Sequence, residues 1–276
     1  MSSNKGAGSC KGLRALKYVF ITILMILSGV NICSSQSVGL VLSGGGASGI
    51  AHIGVIKALE ENHIPIDYIA GTSMGAFIGA LYAAGYTPEE MEKIVLSRDF
   101  QDIATGTIES NNIYYFKQKT PEASWITFRF SLDTNIITSI PTHLVSPIPI
   151  DFALLKYFTS PSSVAHGSFD SLFVPFRCVA ADIVAKKPYI FKNGNLGQAV
   201  RASISYPFYL KPIVIDGRML FDGGLYNNFP ADIMEDDFHP DVILGSNVSG
   251  NIEAPSEDNI LSQIKNMLMT RTNYTL

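Results

Sequence analysis

Two short apolar runs, each closed by glycine-rich sequence and followed by a helical pattern, frame the first third of this chain. Ser37 to Leu42 (Ser-Val-Gly-Leu-Val-Leu) is long enough for a buried strand and stops at Gly44-Gly45-Gly46. From Ala47 to Asn62 the apolar positions Ile50, Ile53, Val55, Ile56 and Leu59 recur at helical spacing, with Glu60 and Glu61 near the end. Pro65 introduces a second strand over Ile66 to Ala70, and Gly71-Thr72-Ser73-Met74-Gly75 follows at once. Ala76 to Ala84 has the small-residue composition of a tightly packed helix, stopped by Gly85. Thr87 is the predicted N-cap of a further helix, with Pro88 at its first position. Repeated strand–turn–helix units predict an α/β domain with a largely parallel sheet.

The rhythm breaks between about residues 100 and 165, a stretch rich in aromatics that holds Pro121, Pro141, Pro147, Pro149 and Pro161. Trp125 to Phe130 is the strand expected within it. Strand patterns resume at Val174 to Ala180 and Pro188 to Phe191, then form a hairpin across Asp216-Gly217 and a last strand over Val242 to Val248. Ile260, Ile264, Met267 and Leu268 predict an amphipathic C-terminal helix within 251–276, and the chain stops soon after it, as at a natural or a truncated end. No internal repeat or low-complexity tract is seen.

Residues 1–35 carry a different signal. Lys5, Lys11, Arg14 and Lys17 precede an uncharged, mostly apolar run from Tyr18 to Val30, and small residues Ser34 and Ser35 come before Gln36. That order predicts a signal peptide and an exported protein, destined for the periplasm, outer membrane or medium if bacterial. The alternative is a membrane anchor, for which the run is shorter than the roughly 20 residues a span needs. Cys33 would suit a lipoprotein, but Ile32 is bulky where a lipobox needs a small residue. The expected domain then covers 36–250.

Composition narrows the chemistry. A net charge of −4 gives no electrostatic case for nucleic acid. With 47% hydrophobic residues the chain can bury a large core. Past the leader, Cys178 is the one cysteine; in an apolar strand pattern it is expected as a small buried hydrophobe. No Cys/His cluster has metal-ligand spacing. Asn247-Val248-Ser249 and Asn273-Tyr274-Thr275 match glycosylation sequons, which matter in a eukaryotic secretory route.

Three local patterns carry the chemistry. Gly71-Thr72-Ser73-Met74-Gly75 is Gly-x-Ser-x-Gly between a strand and a helix, the context of a nucleophile elbow. Glycines allow the sharp turn that exposes a serine hydroxyl, and the helix aims its first amides at developing negative charge. Gly44-Gly45-Gly46-Ala47-Ser48-Gly49 fits a dinucleotide fingerprint, yet Asp67 precedes the apolar run Tyr68-Ile69-Ala70 where such a site needs an acidic residue at the strand's end. The other reading is an oxyanion hole of backbone amides. For the base, His52, His63, His143, His166 and His239 offer only His239 late enough for a Ser…Asp…His order, and its flanks resemble a solvated loop. Asp222, which ends Met219-Leu220-Phe221 and precedes Gly223-Gly224, is the better candidate; as a turn-forming Asp-Gly it would otherwise need no function.

In order and context, Gly44 to Gly49, Gly71 to Gly75 and Asp222-Gly223-Gly224 resemble the patatin-like phospholipase family. Arg201 to Pro207 and Asn227-Asn228-Phe229-Pro230 resemble further segments of that family, and the likeness covers about Val38 to Asn247. The resemblance implies a three-layer α/β/α fold with a mostly parallel central sheet. It also implies a Ser–Asp dyad without histidine, Ser73 as nucleophile and Asp222 as base. The amides of Gly44, Gly45 and Gly46 would form the oxyanion hole. No cofactor or metal is implied, and the expected substrate is a membrane phospholipid or lysolipid reached by peripheral membrane contact. Ser48 stands where the family loop usually has Arg or Lys, which bears on headgroup recognition. Two other classes share these motifs: a lipid transacylase using the same dyad, and a non-catalytic lipid- or nucleotide-binding module. Tyr114, Tyr115, Phe116, Trp125, Phe128 and Phe130 are candidates for a lipid-facing cap, or for ordinary core.

Overall fold

The computed structural model describes residues 36–107 and 144–250, with the single positions Phe20, Gln263 and Asn266. Strand β1 (Val38–Leu42) is buried at all five positions, as expected of a strand covered on both faces. It pairs in parallel with β2 (Tyr68–Thr72) on one side and β7 (Val242–Ser246) on the other. β2 in turn pairs in parallel with β3 (Phe176–Asp182), so β3-β2-β1-β7 is the parallel heart of a seven-stranded mixed sheet. β4 (Lys187–Phe191) runs antiparallel to β3. The hairpin β5 (Ile213–Ile215) and β6 (Arg218–Asp222) joins through β6, also antiparallel to β3.

Alternation along the strands divides the interior. Leu40, Leu42 and Ile69 join the larger apolar core, beneath α1 (Ala51–Glu61), α2 (Met74–Ala83), α3 (Pro88–Leu96), α5 (Ile148–Val164) and α6 (Leu196–Ser203). Val41 and Ala70 point the other way, onto Met234 of α7 (Ala231–Phe238). Helices on both faces make the three-layer α/β/α arrangement. α2 is buried from Gly75 to Ala83, which its small residues permit. α3 begins with a capping box: Thr87 Oγ1 accepts from the Glu90 amide (3.3 Å) and Glu90 Oε2 from the Thr87 amide (2.9 Å).

Several boundaries differ from expectation. β2 extends through Gly71 and Thr72, two residues beyond the expected end, because a strand paired on both edges tolerates a glycine within it. The first helix opens as a 3-10 turn (Gly46–Ile50). Val55 is exposed on it, and His52 takes a buried place on the inward face. β7 ends at Ser246, short of Val248. Between 100 and 165 the described residues form two helices, α4 (Arg98–Thr105) and α5, joined to short non-helical stretches. Pro147 and Pro149 fall at the cap and first turn of α5, where no amide partner is lost. The expected Trp125–Phe130 strand, the aromatics from Tyr114 to Phe130, and His143 lie outside the described residues, as do the leader and C-terminal helix apart from those single positions.

Candidate catalytic site

A single residue makes the turn from β2 into α2. Ser73 sits between them at φ 55°, ψ −123°, a conformation an L-residue adopts at a cost of about 1–3 kcal/mol. Glycine is required around it for space. A Cβ on Gly75 would overlap the carbonyl oxygens of Leu42 and Ser43, and one on Gly71 would lie 2.5 Å from the Gly75 carbonyl oxygen. The elbow is therefore pressed against the end of β1, leaving Ser73 half-buried and accessible.

Asp222 arrives from the opposite direction. β4 occupies one edge of β3 from Cys178 to Asp182, so β2 and β6 must share the other. β2 fills it from Phe176 to Val179 and β6 from Ala180 to Asp182, without overlap. The two strands meet head to head, with Thr72 opposite Val179 and Asp222 opposite Ala180. Ser73 Oγ donates to Asp222 Oδ2 at 2.5 Å. The other carboxylate oxygen, Oδ1, accepts from the Gly224 amide at 2.8 Å. Gly223 lies so close to the Val179 carbonyl oxygen that a Cβ would overlap it. Asp222 is 2% exposed, and burial pushes its carboxyl up to about 6 against the opposing pull of the Ser73 and Gly224 hydrogen bonds.

The glycine loop lies beside the serine. A Cβ on Gly44 would come within 3.0 Å of Ser73 Cβ and would overlap Asn228 Oδ1. The Gly44 amide differs from expectation: it donates to the Asn228 carbonyl at 3.1 Å and so is already engaged. Gly45 caps the 3-10 turn and Gly46 is its first residue, positions whose amides precede any intrahelical acceptor. Gly49 packs under Met74, with room for no side chain, and Ser48 is exposed.

Residues without a recognisable local motif complete the frame. His52 is fully buried; its Nε2 donates to the Ser43 carbonyl (2.9 Å), which leaves Nδ1 to accept from Ser246 Oγ (2.7 Å). Burial lowers its pKa. It pins the root of the glycine loop to β7 and is no partner of Ser73. His239 is exposed at the C-cap of α7. The Asp222 amide donates to the Ser205 carbonyl (3.0 Å). Arg201 holds that loop through Ser205 Oγ (2.5 Å) and the Lys211 carbonyl (3.0 Å), and ties it to α5 through Asp151 (2.6 Å). Cys178 is buried on β3 with its thiol pushed up by desolvation, as a structural cysteine should be. The sequence offered a signal for Arg201, Ser205 and Asn228 only as parts of longer segments, and for His52 only as a polar residue on an apolar helix face.

Comparison with known proteins finds relatives for most of the chain. The family described as Patatin-like phospholipase matches residues 40–234. The chain is similar to human "Patatin-like phospholipase domain-containing protein 6", 34% identical over 204 residues, which are 73% of this chain and 13% of that protein. It is also similar to "Lysophospholipase nte1" of Aspergillus fumigatus, 32% identical over 229 residues, 83% of this chain and 12% of the other. The chain thus spans about an eighth of the length of these relatives. Among solved structures, VipD from Legionella pneumophila aligns with a TM-score of 0.48 and 15% identity, over 76% of this chain and 49% of that one.

Proposed function

The chain belongs to the patatin-like phospholipase family, and on that premise we propose that it is a lipid acyl hydrolase working through a Ser73–Asp222 dyad. The observation that carries this reading is the hydrogen bond from Ser73 Oγ to a buried carboxylate that has no imidazole between them. At neutral pH Asp222 is mostly ionised yet basic enough to take a proton, the condition a general base needs. Ser73 Oγ attacks the ester carbonyl carbon while its proton passes to Asp222 Oδ2. The resulting oxyanion is received by the amides of Gly45 and Gly46, with Gly44 shaping the loop. Removing one such donor typically costs 10²–10³-fold in rate. Collapse expels the alcohol, which leaves with the proton from Asp222, and the acyl group stays on Ser73. Water then attacks the acyl-enzyme, gives its proton to Asp222, and releases the fatty acid as Ser73 regains its hydrogen.

The substrate in this reading is a membrane phospholipid or lysolipid. α5 is apolar on two sides: Leu154 and Phe158 are in the core, whereas Ile148, Phe152 and Leu155 are exposed in a row at helical spacing. Leu144, just before α5, is exposed as well, and its amide donates to the carbonyl of exposed Phe208. The loop bearing Phe208 begins beside Ser205, which holds the Asp222 amide. Such a face beside a catalytic opening suits peripheral contact with a lipid surface. Export, supported by the charges and apolar run of the leader, belongs to the same reading. Mass-spectrometric identification of products from a mixed lipid extract tests it, with Ser73→Ala as control. Free fatty acid formed by the wild type alone is the expected result, and equal release by both proteins overturns it.

A further inference from the structure

The register of β2 on β3 predicts where the Ser73 amide should go. The Ile69 amide donates to the Pro175 carbonyl (3.0 Å), and in a parallel ladder every second residue repeats that step. Gly71 then faces the Arg177 carbonyl, and the next rung would join the Ser73 amide to the Val179 carbonyl. The observed path is longer by one group. The Ser73 amide donates to Ser203 Oγ at 2.8 Å, and Ser203 Oγ donates to the Val179 carbonyl at 2.5 Å. Ser203, the last residue of α6, has no exposure to solvent.

A side-chain hydroxyl therefore stands inside the sheet as an inserted rung, at the seam where β2 gives way to β6. We propose that Ser203 is a positioning residue for catalysis, whose hydroxyl spaces the elbow from β3 so that Ser73 Oγ meets Asp222 Oδ2. The seam is crowded: Gly223 also presses on the Val179 carbonyl, so the place of Ser73 relative to Asp222 is fixed against one shared atom. The same bond engages the Ser73 amide, which leaves stabilisation of the oxyanion to the glycine loop. Without the hydroxyl, a buried donor and a buried acceptor both lose their partner, and the elbow can recover a bond only by closing directly on β3. That movement draws Ser73 away from its base.

This inference rests on the dyad reading above. It is tested by steady-state hydrolysis of a short-chain ester and by the rate at which a fluorophosphonate labels Ser73, for the wild type and Ser203→Ala. The expected result is a fall of about 100-fold in kcat and in labelling rate, the scale of a misplacement near 1 Å, with KM little changed. The acid limb of kcat/KM should also move to higher pH, since a weaker Ser73 hydrogen bond no longer holds the carboxyl down. If the alanine protein does not fold, Ser203→Thr and Ser203→Val, nearly equal in volume, carry the comparison: the hydroxyl-bearing variant should be the faster. Folded Ser203→Ala with wild-type kcat, labelling rate and acid limb, or Thr and Val variants that behave alike, overturns the positioning role alone. A wild type that neither hydrolyses nor labels overturns the dyad reading, and this inference with it.

Discussion

Ser73 Oγ stands 2.5 Å from Asp222 Oδ2, although 149 positions separate the two residues in the chain. The sheet makes this possible by placing two collinear strands, running toward each other, on one edge of β3. A nucleophile delivered by a parallel strand and a base delivered by an antiparallel one need no third element between them. On the dyad reading, the consequence is a site with one titrating group where many serine hydrolases use two.

Replacing Ser73 separates chemistry from strain. Ser73→Ala and Ser73→Gly should both be inactive and folded. With φ at 55°, glycine should be the more stable of the two by about 1 kcal/mol, because it adopts that conformation without steric cost. Thermal melts of both variants check the order; equal midpoints would mean the elbow stores no strain.

The pH dependence of activity and of stability should point in opposite directions. Only ionised Asp222 accepts a proton, so kcat/KM should fall as pH drops through about 6. The folded carboxyl lies above its ordinary 3.8, so the folded state binds the proton more tightly. Its contribution to stability is therefore present at low pH and lost as pH rises from 3.8 through 6. Asp222→Asn should be inactive but more stable at pH 7, by at most about 3 kcal/mol, with the gain gone near pH 4. His52 works the other way: its pKa is lowered in the fold, so stability is lost as pH falls below 6.5. In Asp222→Asn that acid-side loss should persist without the opposing slope, joined at lower pH by those of Asp182, Asp237 and Asp241, whose carboxyls are also lowered in the fold. Denaturant melts between pH 4 and 8 measure both slopes.

Two glycines of similar helical placement should respond oppositely to alanine. At Gly54, in α1, an added Cβ meets nothing within 4 Å, and the substitution should stabilise by up to ~1 kcal/mol. At Gly75, in α2, it meets the Leu42 and Ser43 carbonyls, and the cost should be roughly 1–3 kcal/mol or more. Chemical denaturation of the two proteins gives the comparison directly.

The exposed face of α5 can be weakened without touching the dyad. Phe152, which is 71% exposed, and Phe208 can be changed to serine together. Sedimentation with phospholipid vesicles should show reduced binding, and hydrolysis of vesicle lipid should slow, while a water-soluble ester is turned over as by the wild type. Unchanged vesicle binding would place lipid contact elsewhere.

What the sequence disclosed followed how local each signal is. Ser73 and Asp222, which the fold brings into hydrogen-bond contact, could be picked out as candidates because each stands in a short glycine-flanked pattern whose geometry is set by its neighbours. The parallel order was legible from repeated strand–turn–helix units. The end of β2 was not, since Gly71 and Thr72 have loop composition and become strand only because β1 and β3 pair with them. The prolines near α5 suggested irregular chain, yet Pro147 and Pro149 fall where a helix begins. Ser203 and His52 gave no sign of their partners: one is a serine within the Arg201 to Pro207 segment, the other a histidine on an apolar face. Their partners are 130 and 194 positions away, Ser73 and Ser246. The engaged amide of Gly44 is equally non-local, because Asn228 supplies the acceptor.

β6 meets β3 over three residues, Ala180 to Asp182, and the carboxylate sits on the last residue of that short strand. On the dyad reading, neither residue can act while the ribosome is still short of residue 222, or while the β5–β6 hairpin remains undocked. Hydrolytic competence, on that reading, is a late event in the life of each chain. A nascent or partly unravelled molecule carries an ordinary serine, and the fold arms it only on completion.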